Sequence, residues 1–109
     1  MIFETLYESS KWGELLLING GFCHWHLRKD GQLTIREIIS IRLGAGCEIL
    51  NYLKQITNMK SIFAKCPIDL EANTWYAKRG FILEATETTK KGRQLNHWRL
   101  YLDWLDLLC

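Results

Sequence analysis

Ile41-Arg42-Leu43-Gly44-Ala45-Gly46-Cys47-Glu48-Ile49-Leu50 is the stretch on which the fold turns. Its glycines break an apolar run. Beyond them Ile49, Leu50, Leu53 and Ile56 recur at helical spacing, while Glu48, Asn51, Lys54 and Gln55 fall on the opposite side. The spacing predicts a helix over 47–56 with one buried stripe. Leu33 to Ser40 before the loop reads as a strand, and Ser61 to Cys66, beyond Thr57-Asn58-Met59-Lys60, as another. Strand, glycine turn, helix and strand make a βαβ crossover with its two strands parallel.

Working outward, Glu14 to Ile18 reads as a strand ended by Asn19-Gly20-Gly21, and Phe22 to Arg28 as a second. Asp30-Gly31 is a strong signal for a two-residue hairpin turn. That turn would set Lys29 opposite Gln32, His26 opposite Ile35, Trp25 opposite Arg36 and His24 opposite Glu37. His24, His26, Ile35 and Glu37 would then share one face. Downstream, Asp69 is placed to cap a helix that runs to Arg79, and Gly80 supplies a left-handed stop. Phe81 to Thr88 and Leu95 to Leu102 read as a last strand pair, joined through Lys90-Lys91-Gly92-Arg93. Asp103 to Cys109 reads as a final helical turn. The order predicts an α/β chain (an α+β mixed sheet) that is mostly antiparallel, with one central βαβ crossover, in a single domain over 1–109.

Composition removes several classes. Fourteen Lys and Arg against twelve Asp and Glu leave a net charge of +2, without the concentrated basic face of a nucleic-acid binder. No apolar run reaches the roughly 18–20 residues that span a bilayer, and Met1 to Glu14 lacks the order of a secretory signal. Neither nucleic acid nor membrane is therefore expected as a partner. The four cysteines, Cys23, Cys47, Cys66 and Cys109, have no Cys-x-x-Cys spacing and read as reduced thiols, with no metal site. A cytoplasmic chain is the expectation.

A glycine turn entering a helix is a ready anion site, because its amides lack intrahelical partners and the helix dipole is positive there. Arg42 could add a charge-assisted contact. The loop has neither the Gly-Lys-Ser/Thr ending of a Walker loop nor the third glycine of the dinucleotide fingerprint. A plain strand-to-helix turn explains it equally well, and a nucleotide-phosphate site is a third reading.

Asp69-Leu70-Glu71-Ala72-Asn73-Thr74-Trp75-Tyr76-Ala77-Lys78-Arg79-Gly80-Phe81 resembles the Asn-x-x-Ala-x-x-x-Tyr-x-x-x-Gly-Phe signature of the GNAT family of N-acetyltransferases. Ala72, Tyr76, Gly80 and Phe81 match, with Asp69 in the place of Asn. The glycine loop is similar to that family's acyl-CoA loop, with Gly44 and Gly46 matching and Ile41 standing where Arg or Gln is usual. The resemblance covers about Phe22 to Leu102.

It implies a GNAT-like acyltransferase fold, acetyl-CoA as cofactor and transfer of its acetyl group to an acceptor amine. The diphosphate would lie on the amides of Leu43, Gly44, Ala45, Gly46 and Cys47 with Arg42 nearby. The pantetheine arm would lie where the Leu33–Ser40 and Ser61–Cys66 strands splay apart, and Ile39 and Ile41 are counted among the cofactor-binding residues. Tyr76 matches the tyrosine that acts as proton donor, and Glu37, with His24 across the hairpin, is the candidate base; His26 is a second. Asn73 could touch the cofactor or support its helix. The segment before Glu14 is short for the family's acceptor wall, which favours a protein or peptide amine over a small metabolite. The competing reading is the same fold kept as a non-catalytic binding or assembly module.

Overall fold

Three residues, not two, turn the chain at Asp30-Gly31. The computed structural model describes residues 14–102, and in it Arg28 pairs with Gln32 across Lys29-Asp30-Gly31: the Arg28 amide donates to the Gln32 carbonyl (2.8 Å) and the Gly31 amide to the Arg28 carbonyl (3.0 Å). Gly31 has φ 93°, the left-handed conformation that a three-residue hairpin requires at its last position. A Cβ there would lie 2.8 Å from Lys60 Cγ. Gly31→Ala should therefore cost at least about 1–2 kcal/mol, the left-handed penalty alone, measured as a lowered urea midpoint at unchanged m.

This turn corrects the predicted register by one residue. Trp25 pairs with Ile35 and His26 with Thr34, not with Arg36 and Ile35. A bulge then skips Arg36, and His24 pairs with Glu37 as expected. The extra residue changes which side chains share a face. Ile35 and Ile38 both pack into the core, while Glu37 shares the opposite face with His24.

The elements are β1 (Leu15–Ile18), β2 (Gly21–Leu27), β3 (Gln32–Ser40), α1 (Ala45–Leu53), β4 (Ser61–Pro67), α2 (Ala72–Lys78), β5 (Ile82–Thr88) and β6 (Gln94–Tyr101). They form one sheet in the order β1-β2-β3-β4-β6-β5, antiparallel except for β3 beside β4. The mixed sheet with one parallel pair, bridged by α1, is the predicted architecture. The helical turn expected over 103–109 lies outside the described residues.

Alternation sorts the sheet into two faces. Cys23, Trp25, Leu33, Ile35, Ile62, Ala64, Cys66, Trp98 and Leu100 form one buried cluster with Ile49, Leu50 and Leu53 of α1 and Tyr76 of α2. Both helices thus cover the same face. Each of the three α1 side chains is almost wholly buried, which contributes about 1.5–3 kcal/mol apiece. The other face carries His24, Phe63, Lys65, His97 and Arg99, with Arg99 lying over the Phe63 ring and paired to Glu84. His97 and Lys65 both bond Glu87 at 2.8 Å.

Two helix starts differ from the sequence reading. α1 begins at Ala45, two residues early, because Gly44 takes a left-handed φ of 85° and serves as its N-cap without any side-chain cap. α2 begins at Ala72 and not next to Asp69, with Glu71 at the N-cap position. Pro67 to Leu70 form a turn instead, the Leu70 amide donating to the Pro67 carbonyl (3.1 Å). Gly80 closes α2 with φ 93°, as predicted. Cys23, Cys47 and Cys66 are free thiols, and burial pushes Cys23 up to about 12. Among the described residues no helix is long and apolar enough to cross a membrane, and no cluster of metal-ligating side chains occurs.

Candidate active site

Parallel pairing between β3 and β4 runs from Gln32/Ser61 to Ile35/Ala64 and stops there, at the bulge. The extra residue bends β3 away from β4 and leaves the β4-facing edge of Arg36 to Ser40 without a strand partner. A cleft opens in the gap. Its deep part is lined by Glu37, Ile38, Lys65, Cys66 and Tyr76. A cavity of about 250 Å³ between Ile38, Ser40, Gly46, Trp75 and Tyr76 continues it. It ends at the glycine loop, where Arg42, Leu43, Gly44, Gly46, Trp75 and Arg79 are among the lining residues. Shared lining residues make these one continuous groove from the loop to Tyr76.

At the loop end, the backbone is only partly self-satisfied. Ala45 donates its amide to the Arg42 carbonyl (3.0 Å) and Ile41 to the Gly20 carbonyl (2.7 Å). Those two amides hold the loop and are not available to a ligand, which for Ala45 corrects the predicted diphosphate contact. The amides of Leu43, Gly44, Gly46 and Cys47 have no partner among the described residues. Here the unpaired donors of the α1 N-terminus gather.

Arg42 also does something other than predicted. Its Nε donates to the Asn19 carbonyl (2.9 Å), and its Nη2 pairs with Glu48 Oε2 at 2.6 Å. The guanidinium fastens the loop to the β1–β2 turn, and Glu48 offsets its charge. Gly20 permits this packing: a Cβ there would lie 2.5 Å from Arg42 Cβ. Ile39 is half exposed, and Ile41 and Leu43 are almost fully exposed beside the groove.

At the other end Tyr76 is held by three rings. It meets Phe81 edge-on at 5.0 Å and Trp75 at 5.3 Å, and stacks with Trp98 at 6.3 Å. Only 3% of Tyr76 is exposed, yet its hydroxyl makes no hydrogen bond to another described residue, and the ring lines the groove. Burial raises the phenol well above its usual value of 10, so it stays protonated.

Asn73 is not placed to hold a cofactor. Its Nδ2 donates to the Pro67 and Leu70 carbonyls (both 2.8 Å), and its Oδ1 accepts from Trp98 Nε1 (2.8 Å) and Asn96 Nδ2 (3.0 Å). Every hydrogen-bonding position of that side chain is taken within the protein. Glu37 lines the deep end of the groove with Tyr76, and His24 beside it is buried. Burial, then the charge of Arg36, lowers His24 below 6.5 and keeps it neutral at pH 7. His26 is tied to Glu14, its Nδ1 lying 2.9 Å from Oε2. The sequence reading missed Trp75 and Arg79 as groove walls. Helical spacing carries the signal, since positions 72, 75, 76 and 79 form one side of a helix.

No family model and no curated protein matches the sequence. Solved structures do match the fold. A GNAT-family acetyltransferase from Bacillus cereus superposes with a TM-score of 0.75 at 16% identity, over 90% of this chain and 77% of that one. A putative streptothricin acetyltransferase from Bacillus anthracis, solved with acetyl coenzyme A, gives 0.69 at 22% identity, over 81% of this chain and 60% of that one. An aminoglycoside acetyltransferase solved with coenzyme A gives 0.57 at 19% identity, over 78% and 62%. This chain thus spans under two thirds of the length of the latter two. This chain has the fold of the GNAT acetyltransferases.

Proposed function

We propose that the chain is an acetyl-CoA-dependent N-acetyltransferase that acts on an acceptor amine by direct transfer. One observation carries the reading: a single groove joins four unpartnered amides at a helix N-terminus to a buried, protonated phenol. Two fold neighbours solved with acetyl coenzyme A or coenzyme A lend support.

The residues present fit such a ligand. Leu43, Gly44, Gly46 and Cys47 would take the diphosphate, where the helix dipole adds about half a positive charge. The open edge of β3 around Ile39 offers main-chain groups to an extended amide arm, as a missing strand would. Bound there, acetyl-CoA supplies a thioester carbonyl open to an amine. Glu37, which lines the deep end of the groove, would take the amine's proton as the carbon–nitrogen bond forms. Tyr76 would give its own proton to the departing thiolate; burial keeps the phenol protonated across the working range, although it also weakens it as an acid. His24, neutral and buried, backs Glu37 without adding a competing positive charge.

Calorimetric titration with acetyl-CoA, followed by thiol release across a panel of protein and small-molecule amines, tests the reading. Micromolar binding and amine-dependent thiol release are expected. Absence of binding at millimolar ligand removes it. Binding with no thiol release from any amine would make the chain a non-catalytic module of the same fold.

A further inference from the structure

We infer that Arg79, and not Arg42, is the side chain that meets the diphosphate of the acyl-CoA. This rests on the proposed acyl-CoA site. Two independent observations lead to it. First, Arg42 is committed elsewhere: its Nε and one Nη are bonded to Asn19 and Glu48, and the Glu48 carboxylate offsets its charge. Second, Arg79 stands at the loop end of the groove, lining the same cavity as Leu43, Gly44, Gly46 and Cys47; Arg42 lines it too, but with its Nε and Nη2 already engaged. It forms no ion pair among the described residues, and its Nε is one of only two buried side-chain polar atoms there without a hydrogen-bond partner.

A buried donor left unsatisfied is costly, so such a group marks where a partner is expected. The available partner chemistry is anionic. Neither the backbone amides opposite nor the guanidinium can accept a hydrogen bond, whereas phosphate oxygens accept from both. Arg79 is also the C-cap of α2, where the helix dipole favours a positive charge. Amides on one wall and a guanidinium on the other then clamp a diphosphate between α1 and α2.

Titration of wild type, Arg79→Gln, Arg79→Lys and Arg42→Gln with acetyl-CoA, dephospho-acetyl-CoA and acetyl-pantetheine tests this. Arg79→Gln should weaken acetyl-CoA and dephospho-acetyl-CoA by about tenfold or more and leave acetyl-pantetheine unchanged. Arg79→Lys should recover part of the loss, and Arg42→Gln should lose less than Arg79→Gln. Apo thermal midpoints within error of wild type show that the Arg79 variants are folded. If wild type binds but Arg79→Gln binds acetyl-CoA equally well, the assignment is wrong while the acyl-CoA site stands. A penalty that vanishes with dephospho-acetyl-CoA also overturns it, by moving the contact to the ribose phosphate. If wild type itself binds none of the three, the acyl-CoA reading falls first.

Discussion

Tyr76→Phe is expected to lower kcat by about a hundredfold, the lower range of what a positioned proton donor contributes, with the affinity for acetyl-CoA unchanged. The phenylalanine ring fills the same space between Trp75, Phe81 and Trp98, so only the hydroxyl is lost. Nothing in the described protein depends on that hydroxyl. The fold should therefore be unaffected, and the loss should appear in kcat alone. The pH dependence follows from the sign of the shift. Because the folded phenol ionises above its usual 10, the donor persists to pH 10, and kcat should show no alkaline decline below that point. Above it the unfolded chain loses the proton first, so stability falls with rising pH. The same variant should remove one late-titrating phenol from the ultraviolet titration of the wild type. A kcat within threefold of wild type would exclude Tyr76 as the donor.

Asn73→Leu should destabilise the protein by about 3 kcal/mol, or about 10–20 °C in Tm for a domain of this size. Leucine nearly matches the volume, so the cost is polar. Four hydrogen bonds disappear at once, and Trp98 Nε1 loses the acceptor that fixes it. The damage also spreads to chemistry, since Trp98 stacks on Tyr76. Thermal unfolding followed by near-ultraviolet circular dichroism measures the first effect. A fall in Tm of only a degree or two would show that the network is dispensable.

These two residues also show what could be read from the chain and what could not. The βαβ unit was legible because its signals are local: an apolar stripe at 3.6-residue spacing, flanking apolar runs, glycines between. Gly80 was legible for the same reason, as a stop for the helix before it. Tyr76 and the loop were placed through a resemblance carried by motif spacing, and both line the groove. Arg36 was not legible. A two-residue and a three-residue turn use the same Asp30-Gly31, and only tertiary packing chooses between them. Arg42 and Asn73 were assigned to a ligand through the same resemblance, whereas Asn19 and Trp98, which engage them, lie 23 and 25 residues away. Sequence distance concealed that competition for hydrogen bonds. Arg79 escaped notice for the opposite reason, because it is defined by a partner that it lacks.

The skipped residue of β3 has one more implication. On either side of Arg36, β3 follows the alternation of β2 as if Arg36 were absent: Ile35 faces inward with Trp25, and Glu37 faces outward opposite His24. As far as pairing goes, the hairpin is one residue longer than it needs to be. That surplus is what parts β3 from β4. A chain shortened by that single position could zip the parallel pair onward and keep its core, and the groove between β3 and α2 would close. An open groove and a complete sheet are alternatives here, and a one-codon difference in length selects between them.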